Sequence, residues 1–243
     1  MYMRNKLLAG LLLMLAGSMA HGDEAAIRKV MQTTFPKLKV SSIAKTPIAG
    51  VYETVVGGHI IYTDENATYF ITEGHLWDVK AQRDITAERL DDLSRIDFNS
   101  LPLELAVKVV RGNGSRKMAV FSDPDCPFCK KLEQEGLAGL TDVTIYTFLF
   151  PIDKLHPDAA NKSKIIWCAP DRAKAWNNWV LKGHLAQGNS SCNTPLDKIA
   201  ALAQKVGVES TPTLFFADGL RLRGAYPADD IEQALDNASK KTK

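Results

Sequence analysis

The chain has 243 residues, 45% of them hydrophobic and 24% charged, with a formal net charge of +2. That balance fits an ordinary folded protein with enough apolar residues to bury a core. Both excess positives, Arg4 and Lys6, precede any acid, so the rest of the chain is neutral and charge argues against nucleic acid or an anionic membrane as a partner.

The first residues read as an export signal. Arg4 and Lys6 form a basic start, Leu7 to Ala16 an apolar run of about ten residues, and Ser18 and Ala20 sit where small residues precede a cut after Ala20. The run is well short of the ~20 apolar residues of a spanning helix. The mature chain is therefore expected where disulfides persist.

From Asp23 to Phe35 the residues Ile27, Val30 and Met31 share one helical face, and Pro36 closes the segment. Strand patterns follow at 51–56, 59–63, 68–72 and 76–79, the first two joined by the hairpin dipeptide Gly57-Gly58. A unit of about 60 residues is marginal alone, so a further packing surface, such as a second copy, would help it. Residues 86–98 read as a charged helix with Thr86 as N-cap and Leu90, Leu93 and Ile96 on one side. Beyond Leu101-Pro102 strands and helices alternate: strand 118–122, helix 126–138, strand 143–150, helices 159–169, 173–181 and 196–206, strands 213–216 and 220–223, and a final helix from Ala228. This order predicts an α/β domain with a mixed sheet. Trp176 and Val180 share a helical face and read as core, and none of the five histidines carries an assigned role.

The chain has four cysteines, an even number in an exported protein. Cys126-Pro127-Phe128-Cys129 follows a strand directly and opens a helix. Free N–H groups and the helix dipole at that position favour a thiolate at Cys126. Pro127 costs nothing there, because its missing N–H would be unpaired in the first turn. Cys129, one turn on, can attack a mixed disulfide formed at Cys126. Cys126 is thus the expected exposed nucleophile and Cys129 the resolving thiol. Asp123 and Asp125 oppose the thiolate while Lys130 and Lys131 favour it. A zinc site would need a second such pair or a histidine at ligand spacing, and neither is present, so no metal is expected. A static disulfide is the other alternative. Cys168 ends an apolar helix and Cys192 lies in a polar loop; a bridge between them would close about 25 residues and stabilise by roughly 3.5 kcal/mol in the chain-entropy model. This second pair reads as a structural disulfide, with a second redox pair as the alternative.

Three segments, Phe121-Ser122-Asp123-Pro124-Asp125-Cys126-Pro127-Phe128-Cys129, Ile166-Trp167-Cys168-Ala169 and Gly207-Val208-Glu209-Ser210-Thr211-Pro212, stand in an order and spacing that resembles the DsbC/DsbG family of periplasmic thioredoxin-like proteins. The likeness runs from about Asp23 to the C-terminus. It implies an α+β N-terminal dimerisation domain (21–82) after the signal (1–20), a linker helix (83–100), and an α/β thioredoxin-like catalytic domain with a helical insertion (101–243). It also implies a V-shaped homodimer in the periplasm, Thr211-Pro212 as a cis-proline loop that receives extended substrate backbone, and a DsbD-type membrane reductant as partner. Pro127-Phe128 departs from the Gly-Tyr of the best-known DsbC proteins and is closer to the DsbG branch, whereas the second cysteine pair favours DsbC.

The expected function is isomerisation or reduction of incorrect disulfides in misfolded exported proteins, through Cys126 and Cys129 and without a cofactor. Two alternatives are a DsbG-like thiol reductase or net oxidase, and a holdase chaperone whose thiols are dispensable.

Overall fold

The computed structural model describes residues 19–185, 187 and 190–241. Nearly all of the expected export signal, 1–20, lies outside the described residues. Among them no helix is long and apolar enough to cross a membrane. The chain divides into two compact units at Leu93/Ser94.

In the first unit, helix α1 (Met19–Thr34) is followed by the antiparallel strands β1 (Val40–Lys45), β2 (Val51–Val56), β3 (His59–Asp64) and β4 (Phe70–Thr72), paired in that order. Gly57 and Gly58 both hold positive φ, which lets a two-residue turn join β2 to β3 with Val56 opposite His59. Successive side chains alternate across β2, and the two faces bury different partners. Tyr52 and Val56 pack with Ile27 and Met31 of α1, whose spacing of four puts them on one helical stripe. Val55, with Ile60 and Tyr62 of β3, packs against Leu90 and Leu93 of α2 (Ile85–Leu93). Between β4 and α2 lie the two-residue strands β5 (Trp77–Asp78) and β6 (Arg83–Asp84).

Two expectations change here. The segment 83–100, expected as a linker helix, is α-helical only over Ile85–Leu93, with a separate 3-10 turn at Phe98–Ser100, and the α-helical residues close the second face of the first unit's sheet. Thr86 is not the N-cap: its buried hydroxyl bonds the Tyr62 hydroxyl and the Leu76 amide, while the Asp84 carboxylate accepts from the Ala87 amide.

The second unit holds a five-stranded mixed sheet in the order β11-β10-β8-β9-β7. Its strands are β7 (Val107–Arg111), β8 (Arg116–Ser122), β9 (Val143–Leu149), β10 (Thr213–Phe216) and β11 (Arg221–Arg223). Only the β8–β9 pair is parallel, and helix α3 (Pro127–Lys131) lies in the crossover that a parallel pair requires. One sheet face carries Met118, Val120, Ile145, Leu214 and Phe216 against α7 (Ala228–Lys241) and the turn after α3. The other carries Ala119, Phe121, Phe148 and Phe215 against Ile199 and Ala203 of α6 (Leu196–Lys205). Helices α4 (Ala159–Cys168) and α5 (Arg172–Lys182) form the insertion and bury Trp176 and Val180 beside Val107 and Leu149.

Candidate redox site

Strand β8 ends at Ser122, and the loop Asp123-Pro124-Asp125 delivers Cys126 to the start of α3. Cys126 has extended backbone angles and stands as the helix cap, with Pro127 in the first turn and its own carbonyl accepting from the Lys130 amide. The helix expected to run to residue 138 stops at Lys131 and continues as a π-helical turn, Leu132–Gly136, closed by Leu137 N–H to the Leu132 carbonyl. A Cβ on Gly136 would lie 2.5 Å from the Tyr226 carbonyl oxygen, so glycine lets this turn press against the chain ahead of α7.

Strand β10 pairs antiparallel with β8, Thr213 opposite Phe121, and so places the residues before Thr213 beside the end of β8. There the Thr211–Pro212 peptide bond is cis, and Cys126 Sγ lies 3.5 Å from the Thr211 carbonyl oxygen, to which it donates while protonated. The residues expected to act together, Cys126, Cys129, Thr211 and Pro212, thus converge from two segments 85 positions apart. Cys168 and Cys192 are bonded to each other, whereas Cys126 and Cys129 are free thiols.

Cys126 differs from its expected exposure, keeping only 5% of its surface, while Phe128 beside it is 62% exposed. Its pKa is lowered to about 5, chiefly by a hydrogen bond from the Cys129 side chain, which with the Cys129 amide, the Thr211 side chain and the Phe128 amide outweighs burial. Cys129, fully buried, has its pKa raised by desolvation and by the adjacent Cys126 sulfur. The two thiols are therefore poised in opposite directions: one ionised at neutral pH, the other holding its proton.

The flanking charges are engaged in ways that sequence spacing did not reveal. Asp123, with no exposed surface, accepts from the Asp125 amide at 2.8 Å and the Ile152 amide at 2.7 Å, and its Oδ2 lies 3.0 Å from His156 Nδ1. Its own amide donates to Cys129 Sγ at 3.4 Å. Asp125 pairs with Lys162 of α4 at 2.7 Å. Lys130 and Lys162 both lie over the Trp179 ring, at 4.8 and 4.9 Å, and the indole N–H donates to the Pro124 carbonyl at 2.7 Å. Behind α3, Trp176 donates to the buried Glu133 carboxylate at 2.9 Å. His156, Lys162 and Trp179 had no motif to betray them, since each reaches the site only through the folded chain.

An acidic thiol at a helix start, a protonated thiol one turn behind it and a cis-proline loop in front define a thioredoxin-like thiol–disulfide oxidoreductase. Comparison with known proteins agrees. Residues 103–239 match the thioredoxin-like domain family, and residues 18–87 the disulfide bond isomerase protein N-terminal domain. The chain is 41% identical to the probable thiol:disulfide interchange protein DsbC of Bordetella pertussis, over 86% of this chain and 73% of that one. It is 27% identical to thiol:disulfide interchange protein DsbC of Escherichia coli, over 92% of each chain. The crystal structure of a disulfide interchange protein from Neisseria gonorrhoeae superposes with a TM-score of 0.54 at 48% identity, covering 57% of this chain and 98% of that one. The chain belongs to the DsbC family of thiol:disulfide interchange proteins.

Proposed function

We propose that the protein acts in the periplasm as a homodimer joined through its first unit, and that it rearranges wrong disulfides in misfolded exported proteins. The Cys126 thiolate attacks a substrate disulfide, forming a mixed disulfide and releasing one substrate sulfur as thiolate. If another substrate thiol then attacks the mixed disulfide, the result is isomerisation and the enzyme leaves reduced. If Cys129 attacks instead, the substrate is reduced and Cys126–Cys129 is left oxidised. A membrane reductant of the DsbD type would restore the dithiol.

The observation that carries this reading is the Cys126 thiol, 3.5 Å from the Thr211 carbonyl at the cis bond, with its pKa lowered to about 5. A low-pKa sulfur is almost fully ionised and so available for attack at neutral pH and, in the mixed disulfide, is a good leaving group, so substrate can be both captured and released. Thr211 and Pro212 would hold extended substrate backbone beside that sulfur. The Cys168–Cys192 bond would be structural, tying the end of α4 to the segment ahead of α6.

The test is reactivation of scrambled, fully oxidised ribonuclease in a weakly reducing buffer. Recovery is expected with the parent chain and not with Cys126→Ser. No recovery from a parent chain that still exchanges with glutathione would instead favour a dedicated reductase or oxidase.

A further inference from the structure

Ser122 is the last residue of β8, and its hydroxyl has no part in the mechanism above. Side chains alternate across a strand, so Ser122 faces the same side as Met118 and Val120, the side that packs on Leu132 in the turn after α3. That side carries the helix on which Cys129 sits. Ser122 is 1% exposed, and its Oγ makes no hydrogen bond, to sulfur included, among the described residues. A buried hydroxyl without a partner is costly and calls for an explanation. Cys129 supplies one. Its sulfur already receives the Asp123 amide at 3.4 Å, and Asp123 is held in place by three bonds to its carboxylate.

We propose that the Ser122 hydroxyl and the Asp123 amide form a donor pair for the Cys129 sulfur, and that Ser122 is a catalytic residue of the resolving step alone. The inference rests on the roles of Cys126 and Cys129 proposed above. In that step the thiolate of Cys129 attacks Cys126 Sγ. The Cys126–Cys129 bond forms, the bond from Cys126 to the substrate sulfur breaks, and its electron pair leaves on the substrate. The proton given up by Cys129 passes to solvent and is balanced when the substrate thiolate is protonated. Burial opposes negative charge on Cys129, and the Ser122 hydroxyl and Asp123 amide are the groups that favour it. The pair would thus set how often a captured substrate is reduced rather than left for isomerisation. Ser122 acts on the sulfur that ends the encounter and not on the one that begins it.

Losing one hydrogen bond to a charged sulfur raises its pKa by about one to two units. Because nucleophilicity recovers by only 0.4–0.5 of that change, the resolving step should slow by about 3- to 15-fold. The probe is 5,5′-dithiobis(2-nitrobenzoate) in excess over the reduced full-length chain. Attack by Cys126 releases a first nitrothiobenzoate in a phase that scales with reagent. Attack by Cys129 releases a second in a phase that does not. Ser122→Ala and Ser122→Val should slow the second phase and leave the first unchanged. Ser122→Thr, equal in shape to valine but with the hydroxyl kept, should restore the second phase. Second phases within twofold of the parent in both Ala and Val would overturn the proposal, as would equal slowing in Thr and Val. A parent chain that shows no Cys126-dependent first phase would overturn the proposed function itself, a distinct result.

Discussion

The two cysteine pairs of the second unit have the same atoms and opposite chemistry. Cys126 and Cys129 are three positions apart, free, and flanked by donors that pull one pKa down while burial pushes the other up. Cys168 and Cys192 are 24 positions apart, bonded, and joined to a loop rather than to a helix start. A short loop gains little entropy from a cross-link, and a sulfur at a helix N-terminus is easily released as thiolate; a long loop gains much. Reactivity here follows from where the backbone puts each sulfur.

The largest expected effect separates the pairs by activity. In Cys129→Ser the intramolecular thiol is lost, and outside thiols at millimolar concentration replace an effective concentration many orders higher. Net reduction should fall by about 10³-fold or more, with Cys126-linked mixed disulfides accumulating on non-reducing gels. Replacing both Cys168 and Cys192 by alanine should change the same rate by less than about twofold, since neither sulfur takes part in the exchange. Equal losses from the two changes would erase the distinction.

Stability should show the reverse order. Removing the Cys168–Cys192 bond is expected to cost roughly 3.5 kcal/mol, because the unfolded chain regains the freedom of a closed loop of about 25 residues. Urea unfolding of the double alanine variant against the oxidised parent measures it. A cost near zero would mean that the unfolded chain retains structure that already confines this loop.

The same contrast explains what could be read from the chain alone. The dithiol was legible because all its parts lie within four residues, and the second pair followed once the first was assigned. Strands 51–56, 143–150 and 213–216 were legible because they are rich in β-branched and aromatic residues. Strands β1 and β7 were not: each is an edge strand, half exposed, and reads as polar or mixed. The π-helical turn after Lys131 brings Gly136 against the Tyr226 carbonyl, a long-range approach that no local pattern encodes. His156 meets Asp123 only because β9 returns the chain to the end of β8, so its role needs the fold. Charges counted along the sequence misled, since Asp125 is matched by Lys162 and Asp123 by amides and a histidine.

Within the reactive pair, alkylation by iodoacetamide should titrate with a midpoint near pH 5, against about 9 for an ordinary thiol. At pH 5 half of Cys126 is ionised, about 5,000 times the ordinary fraction. The weaker nucleophilicity of a low-pKa thiolate removes a factor of about 40 to 100, which leaves a gain of roughly 50- to 125-fold. At pH 7 the same arithmetic leaves only about one- to threefold, so a single measurement there would miss it. The sign for stability is also fixed. A depressed acid pKa stabilises the reduced fold above the unfolded value near 9, and that contribution is lost as pH falls through 5. A midpoint above 8 would remove the asymmetry between the two thiols.

The smallest effect concerns the link between the two pairs' supports. Trp176 lies on α5 of the insertion that follows Cys168, and its N–H donates to Glu133, in the turn that follows Cys129. Glu133 is buried, and burial raises its pKa against the lowering effects of Trp176 and Arg111. Trp176→Phe would keep most of the apolar contact and remove the donor, at a cost of about 1–3 kcal/mol if the carboxylate is charged. An acid with a raised folded pKa destabilises the fold increasingly as pH rises above its unfolded value, and losing the donor enlarges that penalty. The deficit of Trp176→Phe should therefore be constant while Glu133 stays protonated in the fold and grow once pH rises through its raised folded pKa. A deficit that stays flat even as Glu133 ionises in the parent fold would mean Trp176 supports α3 by packing alone, and that the insertion and the dithiol helix are joined by shape rather than by charge.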